Sequence, residues 1–233
     1  RLIVAADDPV AGVYGDAAIV AVSNRELSLQ RAGVSGLESG VLNVENNAVL
    51  SASGSVLLDV SGTDVDLRGQ LVTNNGALLS LGGSSVSLGE TDGRTLTGFV
   101  LSNEVLAELA GTRLSIRSDG SMEIFGQVIN PANDEAIRFA GLDIDATGII
   151  GNDNDGLTAK LVATEVSLAN TTGATLAGGT LSANGSTLEI TADTLLLAGG
   201  DFRVQGYETV QAVASGALVL AGEGEFSSRN NVS

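Results

Sequence analysis

A short apolar-x-apolar motif recurs from one end of this chain to the other and limits the folds open to it. It reads Leu27-Ser-Leu29, Leu42-Asn-Val44, Leu58-Asp-Val60, Val65-Asp-Leu67, Leu79-Ser-Leu81 and Val86-Ser-Leu88 in the first part. It continues as Leu114-Ser-Ile116, Met122-Glu-Ile124, Leu142-Asp-Ile144, Val166-Ser-Leu168, Leu188-Glu-Ile190, Leu195-Leu-Leu197, Phe202-Arg-Val204 and Leu218-Val-Leu220. A period of two describes strands with one face buried and one face wet. Turn residues separate them, among them Gly54, Gly62, Gly82-Gly83, Asp119-Gly120, Asn184-Gly185 and Gly199-Gly200. The strands are therefore short, about three to five residues each. Successive anchors fall seven apart at Leu188, Leu195 and Phe202, and eight apart at Phe202, Val210 and Leu218.

Short strands at even spacing suit three architectures. A sandwich or barrel uses longer strands and closes its ends with bulky side chains. A hairpin array needs long strands on either side of each tight turn. A parallel solenoid needs only corners, with about 20–25 residues per coil and each coil covering its neighbour. Composition favours the last. Aromatic residues make up 3% of the chain, with no Trp, while apolar residues make up 43%. A core of small aliphatic side chains in similar layers does without the large aromatic volumes that fill irregular interiors. The fold expected is all-β, a parallel β-helix of three short strands per coil, with residues 1–97 and 98–233 forming one continuous solenoid.

Two segments interrupt the pattern. In Leu101-Ser-Asn-Glu-Val-Leu-Ala-Glu-Leu-Ala110 the apolar positions Leu101, Val105, Leu106 and Leu109 have helical spacing. Ser102 or Asn103 is the expected N-cap and Gly111 the stop. The spacing predicts one short helix near 101–110, inserted between coils on an outer face or over a gap. Asn130 to Ile137, with Pro131, reads as an irregular loop.

Charge narrows the partners. The formal net charge is −17, and Lys160 is the only lysine, a balance that repels phosphate backbones and excludes nucleic acid. There is no Cys and no His, which excludes a disulfide scaffold and thiolate metal sites and removes the commonest general base. No stretch reaches the roughly 18–20 apolar residues of a membrane helix. Arg1 stands where an initiating Met would, so the sequence reads as processed or as an excerpt of a longer polypeptide.

From Gly98 to Glu225 the chain resembles the repeat region of filamentous-haemagglutinin-like large exoproteins, the secreted partners of two-partner secretion in Gram-negative bacteria. The resemblance lies in the order of pieces. Val100-Leu-Ser-Asn-Glu-Val-Leu-Ala-Glu-Leu-Ala-Gly111 precedes Leu114-Ser-Ile-Arg117. Gly141-Leu-Asp-Ile-Asp-Ala146, Gly148-Ile-Ile-Gly151 and Val166-Ser-Leu-Ala-Asn-Thr-Thr-Gly173 follow. Gly185-Ser-Thr-Leu-Glu-Ile-Thr-Ala192, Ala198-Gly-Gly-Asp-Phe202 and Gly206-Tyr-Glu-Thr-Val210 complete it. The resemblance implies a right-handed β-helical shaft, passed unfolded through an outer-membrane secretion partner and folded outside the cell. It carries no receptor-binding residues onto this sequence.

Candidate chemistry is sparse. Parallel β-helices also host polysaccharide enzymes, which need clustered carboxylates, a basic residue and aromatic sugar platforms. Here Tyr14, Phe99, Phe125, Phe139, Phe202, Tyr207 and Phe226 are scattered along the sequence. Gly151-Asn-Asp-Asn-Asp-Gly156 resembles half a calcium loop, but Gly151 and Val162 stand where an EF-hand places carboxylates. A solvated corner turn is the preferred reading, with weak Ca²⁺ binding at 152–155 the other. Asp64, Asp66, Asp143 and Asp145 alternate with apolar residues and read as the wet face of strands. Asn46-Asn47, Asn74-Asn75 and Asn230-Asn231 read as turns or as starts of side-chain ladders. Asn170, Asn184 and Asn231 match the glycosylation acceptor pattern, read here as turn composition.

No catalytic, cofactor-binding or metal-binding residues are assigned. The expected role is the shaft of a secreted or cell-surface adhesin or filament. The alternatives are a stalk for contact-dependent toxin delivery and, further off, a polysaccharide-active enzyme. Expected partners are adjacent coils of the same polypeptide or identical neighbours continuing at least one end, the secretion partner, and host or neighbouring-cell receptors.

Overall fold

The computed structural model describes residues 2–5, 18–27, 29–32, 41–60, 64–74, 76–91, 93–176, 184–228 and 231–232. The first strands are β1 (Leu2–Ala5), β2 (Ala18–Ser23) and β3 (Leu29–Ala32). Two matching sets of three follow: β4 (Val41–Val44), β5 (Val49–Ala52) and β6 (Ser55–Val60), then β7 (Asp64–Leu67), β8 (Gln70–Thr73) and β9 (Leu78–Gly83). β4 pairs with β7, β5 with β8 and β6 with β9, all parallel. Three strands per pass is the expected arrangement, and residues 41–83 adopt it.

Beyond β9 the chain alternates between two sheets. β10 (Val86–Gly89) is followed by β11 (Phe99–Ser102), the helix α1 (Asn103–Glu108), β12 (Arg113–Ser118) and β13 (Met122–Phe125). A small antiparallel pair, β14 (Ile129–Asn130) and β15 (Glu135–Ala136), leads into β16 (Arg138–Asp145) and β17 (Gly148–Asn152). The last strands are β18 (Thr158–Ala169), β19 (Thr187–Leu197), β20 (Phe202–Gln205), β21 (Thr209–Leu220), β22 (Phe226–Ser228) and β23 (Asn231–Val232). Among the described residues, nine strands form one sheet in the order β2-β6-β9-β12-β16-β18-β19-β21-β23. Six form another, β11-β10-β13-β17-β20-β22. Every pair in both is parallel except β2 with β6.

Register converts the recurring motif into columns. Val56 lies beside Leu79, then Leu114, Leu142, Val166, Leu195 and Leu218 in successive strands. A second column runs Leu58, Leu81, Ile116, Ile144, Leu168, Leu197 and Leu220. From the other sheet Val86, Leu88, Met122, Ile124, Ile149, Phe202 and Val204 join the same core cluster. Each wholly buried aliphatic side chain contributes about 1.5–3 kcal/mol. Between the buried residues, Ser115, Asp143, Ser167 and Glu189 stay partly exposed. The predicted alternation therefore holds on these strands.

Four differences from the sequence reading have physical causes. Strands β18, β19 and β21 reach 12, 11 and 12 residues, well beyond the expected length. In β19, Leu188, Ile190 and Ala192 are buried, yet so is Leu195, an odd step that a regular strand would turn outward. β18 makes the same step in register, Ala163 and Val166 lying buried beside Ala192 and Leu195, whereas β21 has one residue more there, so its register with β19 shifts between Ala192 and Thr194. What reads as two strands is one continuous ladder with a corner in it.

The helix is shorter than its spacing predicts, because Leu101 belongs to β11 and Ser102 is the N-cap. Ser102 gives no side-chain cap; its hydroxyl instead bonds Glu104 Oε2 at 2.8 Å. Leu106 and Leu109 are fully buried in the main cluster, so α1 plugs the interior instead of riding outside it. The Asn130–Ile137 excursion is a hairpin, its turn held by Asn130 Oδ1 accepting from the Ala132 N–H at 3.0 Å. Finally, β6 is buried on both faces, and Asp59 is 4% exposed. Gly82 makes the room, since a Cβ there would overlap the Asp59 carboxylate.

Leu142→Ala, in the middle of the first column, is expected to cost about 2–5 kcal/mol in urea unfolding. Ser167→Ala, beside it on the wet side, should stay within about 0.5 kcal/mol.

Candidate functional site

The outer side of the nine-stranded sheet carries most of the charge that strand pairing brings together. Arg113 Nη1 lies 3.8 Å from Glu26 Oε2, Arg138 Nη2 lies 3.7 Å from Asp193 Oδ2, and Lys160 Nζ lies 3.5 Å from Glu189 Oε2. All are partly exposed pairs, worth about 0–1 kcal/mol each. Asp143 sits among them. Burial pushes its carboxyl above the usual aspartate range; Arg113 opposes the shift, and Glu165 and Glu26 add to it. A half-buried carboxylate close to other carboxylates is an electrostatic liability of the ladder.

The turns between sheets hold a second set of polar groups, and their task is to join successive passes of the chain. Asn154 is 2% exposed, and its Nδ2 donates to Gly206 O at 2.7 Å. Asn170 is likewise buried; its Nδ2 donates to Ala174 O and to Asp201 O, both at 2.8 Å, while Thr172 Oγ1 donates to its Oδ1 at 2.6 Å. Asp145 Oδ1 accepts the Thr171 N–H at 2.8 Å, and Asp201 Oδ1 accepts the Glu225 N–H at 3.1 Å. Each of these links spans 23 or more residues of sequence except the two local ones at Asn170. Unpaired backbone groups at corners are costly in a packed stack; the asparagines satisfy carbonyls and the aspartates satisfy N–H groups.

The 152–155 turn differs from its sequence reading. It is a corner with Asp153 and Asp155 exposed, but one of its side chains turns inward. Asn154 is interior, and Asp153, at a positive φ of 49°, ion-pairs with Arg94. Arg94 also lies over the Phe125 ring at 4.8 Å and donates from Nε to Glu90 O at 3.3 Å. One arginine thus ties the 90–98 loop to the corner that follows β17. Nothing in the sequence marks it, since its partners lie 31 and 59 residues away by residue number (Phe125, Asp153). Tyr207 packs over Gly151 so closely that a Cβ there would overlap its ring. Burial holds the Tyr207 phenol well above the usual tyrosine range.

The remaining candidates separate. Asp66 pairs with Arg68 at 2.7 Å on the surface, and Asp143 and Asp145 are half-buried on the outer face. Asp64 lies on β7, within the described backbone only. Asn46 and Asn47 are exposed turn residues, Asn47 at φ 75°. Asn75, Asn230 and Tyr14 lie outside the described residues, and Asn74 is exposed. Of the acceptor-pattern residues, Asn170 is buried, which leaves no room for a sugar, and Asn184 is exposed. The aromatic residues are less scattered than they read. Phe202 and Phe226 stack with centroids 6.1 Å apart, because one step of strand pairing joins them.

Beside that stack, Leu168, Leu197, Phe202 and Phe226 line a small hollow open to solvent, together with Gly199, Gly200, Gly224 and Glu225. It is apolar, with one carboxylate and no second polar group converging on it. Among the described residues no three His, Cys, Asp or Glu side chains stand together as a metal would need.

Asn154→Ala, which leaves the Gly206 carbonyl in the interior with only the longer 3.4 Å bond from Ser186 Oγ, is expected to cost about 1–3 kcal/mol. A chelator should leave the melting temperature of the unmodified protein unchanged, because the corner is held by Asn154 and Arg94. Asp143 binds its proton more tightly in the folded chain than in the unfolded one, so stability falls as pH rises through that window. Asp143→Asn should therefore melt higher than the parent at neutral pH. The advantage should vanish as pH drops below the ordinary aspartate range.

Comparison of the chain with protein-family models, with curated proteins and with solved structures gives no match.

Proposed function

We propose that the chain is a stretch of parallel β-helix, a stack of coils, and that its role is mechanical: the shaft of a secreted or cell-surface adhesin or filament. The observation that carries the reading is the parallel run β6-β9-β12-β16-β18-β19-β21. Along it one apolar column passes from Val56 to Leu218, through a single register shift between β19 and β21. At about 4.8 Å per strand spacing, such a stack extends by adding coils without changing its cross-section. The side chains that satisfy the corners are spent on holding coil to coil, which suits a rod. The order of pieces between Gly98 and Glu225, helix included, resembles the exoprotein repeat region. That likeness supports export through an outer-membrane partner and display outside a Gram-negative cell.

A stack of coils tolerates the loss of one. Leu188 lies beside Val210 and Thr187 beside Thr209, so deletion of residues 188–209 joins equivalent points one coil apart. β22 can then take the place of β20 beside β17. The shortened chain is expected to fold with one cooperative transition. In the displaying polypeptide, cell attachment should survive the deletion but not Ile116→Asp, which breaks the core. Loss of folding on removal of the coil would refute the stacked reading. Loss of attachment by a well-folded shortened rod would refute the shaft role and place the binding groups within 188–209.

A further inference from the structure

Successive passes of the chain are joined face by face, and one level is joined on a single face. Between the passes β4–β6 and β7–β9 all three strands pair. Further along, β18 and β19 pair round a corner from Thr158 to Leu168, and β17 meets β20 on the other sheet. Between β7–β9 and the pass that follows, only β9 and β12 pair, from Leu78 beside Arg113 to Gly83 beside Ser118. Bonds from Gly76 N to Gly111 O, Arg113 N to Ala77 O and Asp119 N to Gly83 O, at 3.0, 2.9 and 2.9 Å, extend that one ladder.

On the other two faces the level is a seam. β7 touches β11 without pairing, while β11 is laddered to β10 on its far side. α1 follows β11 and precedes β12, so it stands where a strand would otherwise cover β8. The hydrogen bonds nearby turn away from the seam on both sides. The Arg68 and Gly69 N–H groups donate to Val44 O and the Gln70 N–H to Ala48 O, all at 2.9 Å and all toward the pass before. Asn103, at the start of α1, faces the pass after: its Nδ2 donates to Gln127 O and its Oδ1 accepts from the Ile129 N–H, each at 3.2 Å. Among the described residues no hydrogen bond joins β7 or β8 to β11 or α1. What holds the seam is apolar burial. Leu71 on one side and Leu101, Leu106 and Leu109 on the other are buried in one core cluster, with Val65 and Val105 packed against it.

We propose that this level is a hinge: the strands β4 to β9 swing as one body about the β9–β12 ladder, and the seam between β7–β8 and β11–α1 opens. The inference rests on the stacked-coil reading. The stability of stacked repeats is a sum of unit and neighbour terms, and local opening follows the weakest of them. Apolar contacts are non-directional and let two surfaces part, whereas a ladder fixes both distance and register. With the ladder missing on two faces and intact on the third, the parts separate by rotation about the intact one. A shaft built this way yields at one fixed level when its tip is loaded, before any coil loses its own hydrogen bonds.

Amide hydrogen exchange of the 233-residue chain, read residue by residue by NMR, tests this. The N–H groups of β7 and β8 that are not bonded to β4 and β5 should exchange at least about tenfold faster than those of the β9–β12 ladder, after correction for intrinsic rates. Leu106→Ala removes a buried side chain from the seam and should speed exchange along β7, β8 and β11 together by about a further tenfold. It should leave the β4–β7, β5–β8 and β9–β12 bonds as protected as before. Leu71→Val serves if that variant does not fold. Seam rates as slow as those of the β9–β12 ladder, or untouched by the substitution, overturn the proposal. Speeding that spreads to the β4–β7 and β5–β8 bonds overturns it as well, because the first passes would then unfold instead of swinging. Failure of the 188–209 deletion to fold, tested separately, would strike the stacked reading, whereas the seam rates judge the hinge alone.

Discussion

Everything in this molecule depends on the in-register parallel ladder between successive passes of the chain. A parallel pair holds like residues side by side, so a backbone hydrogen bond made at one level fixes which side chains meet at the next. The Val56-to-Leu218 column exists because register is held from pass to pass, the one shift, between Ala192 and Thr194, falling at a corner and leaving Leu195 beside Leu218; a slip along a whole strand would turn it inside out. Backbone pairing and apolar burial therefore fail together or hold together.

That constraint explains the polar residues better than any search for chemistry does. Where the chain leaves one sheet for the other, the ladder stops and both backbone carbonyls and N–H groups fall free. Asn154, Asn170, Asp145 and Asp201 close those gaps with bonds to the neighbouring pass. The same constraint leaves Asp143 in an unfavourable place. Its row on the outer face runs Ser115, Asp143, Ser167, and nearby carboxylates stack at one strand spacing, where like charges add. Polar residues in a ladder are disposed by position, and a cluster that looks like a site is a consequence of repetition.

The sequence made the inward rows legible because their signal is local: Leu114-Ser-Ile116 and Leu142-Asp-Ile144 each announce a strand within three residues. The helix was legible for the same reason, since Val105, Leu106 and Leu109 follow its period. Its burial was not, because whether a helix plugs a core or rides on it depends on what lies beside it. Corners were hidden too. The odd spacing from Leu188 to Leu195 records a corner that β18 shares in register, from Ala159 to Val166, but period counting treats it as a break between strands. The buried asparagines were the hardest to see. Asn154 resembles a calcium ligand by its neighbours and becomes interior only through Gly206, which lies 52 residues on. Likewise Phe202 and Phe226 meet only because the ladder brings them level.

The central claim is a strict one-dimensional order: Ser80, Ser115, Asp143, Ser167, Leu196 and Val219 follow one another across the sheet, one strand at a time. The chain has no cysteine, so single pairs can be introduced and spin-labelled cleanly, and pulsed dipolar spectroscopy reads the separation. At about 4.8 Å per strand, labels at Ser115 and Val219, four steps apart, should lie near 19 Å, on the order of four spacings. Labels at Ser80 and Val219, five steps apart, should lie about one spacing further, near 24 Å. Distances that grow by one strand spacing per step are the account's prediction. A Ser80–Val219 separation equal to or shorter than that of Ser115–Val219 would contradict it.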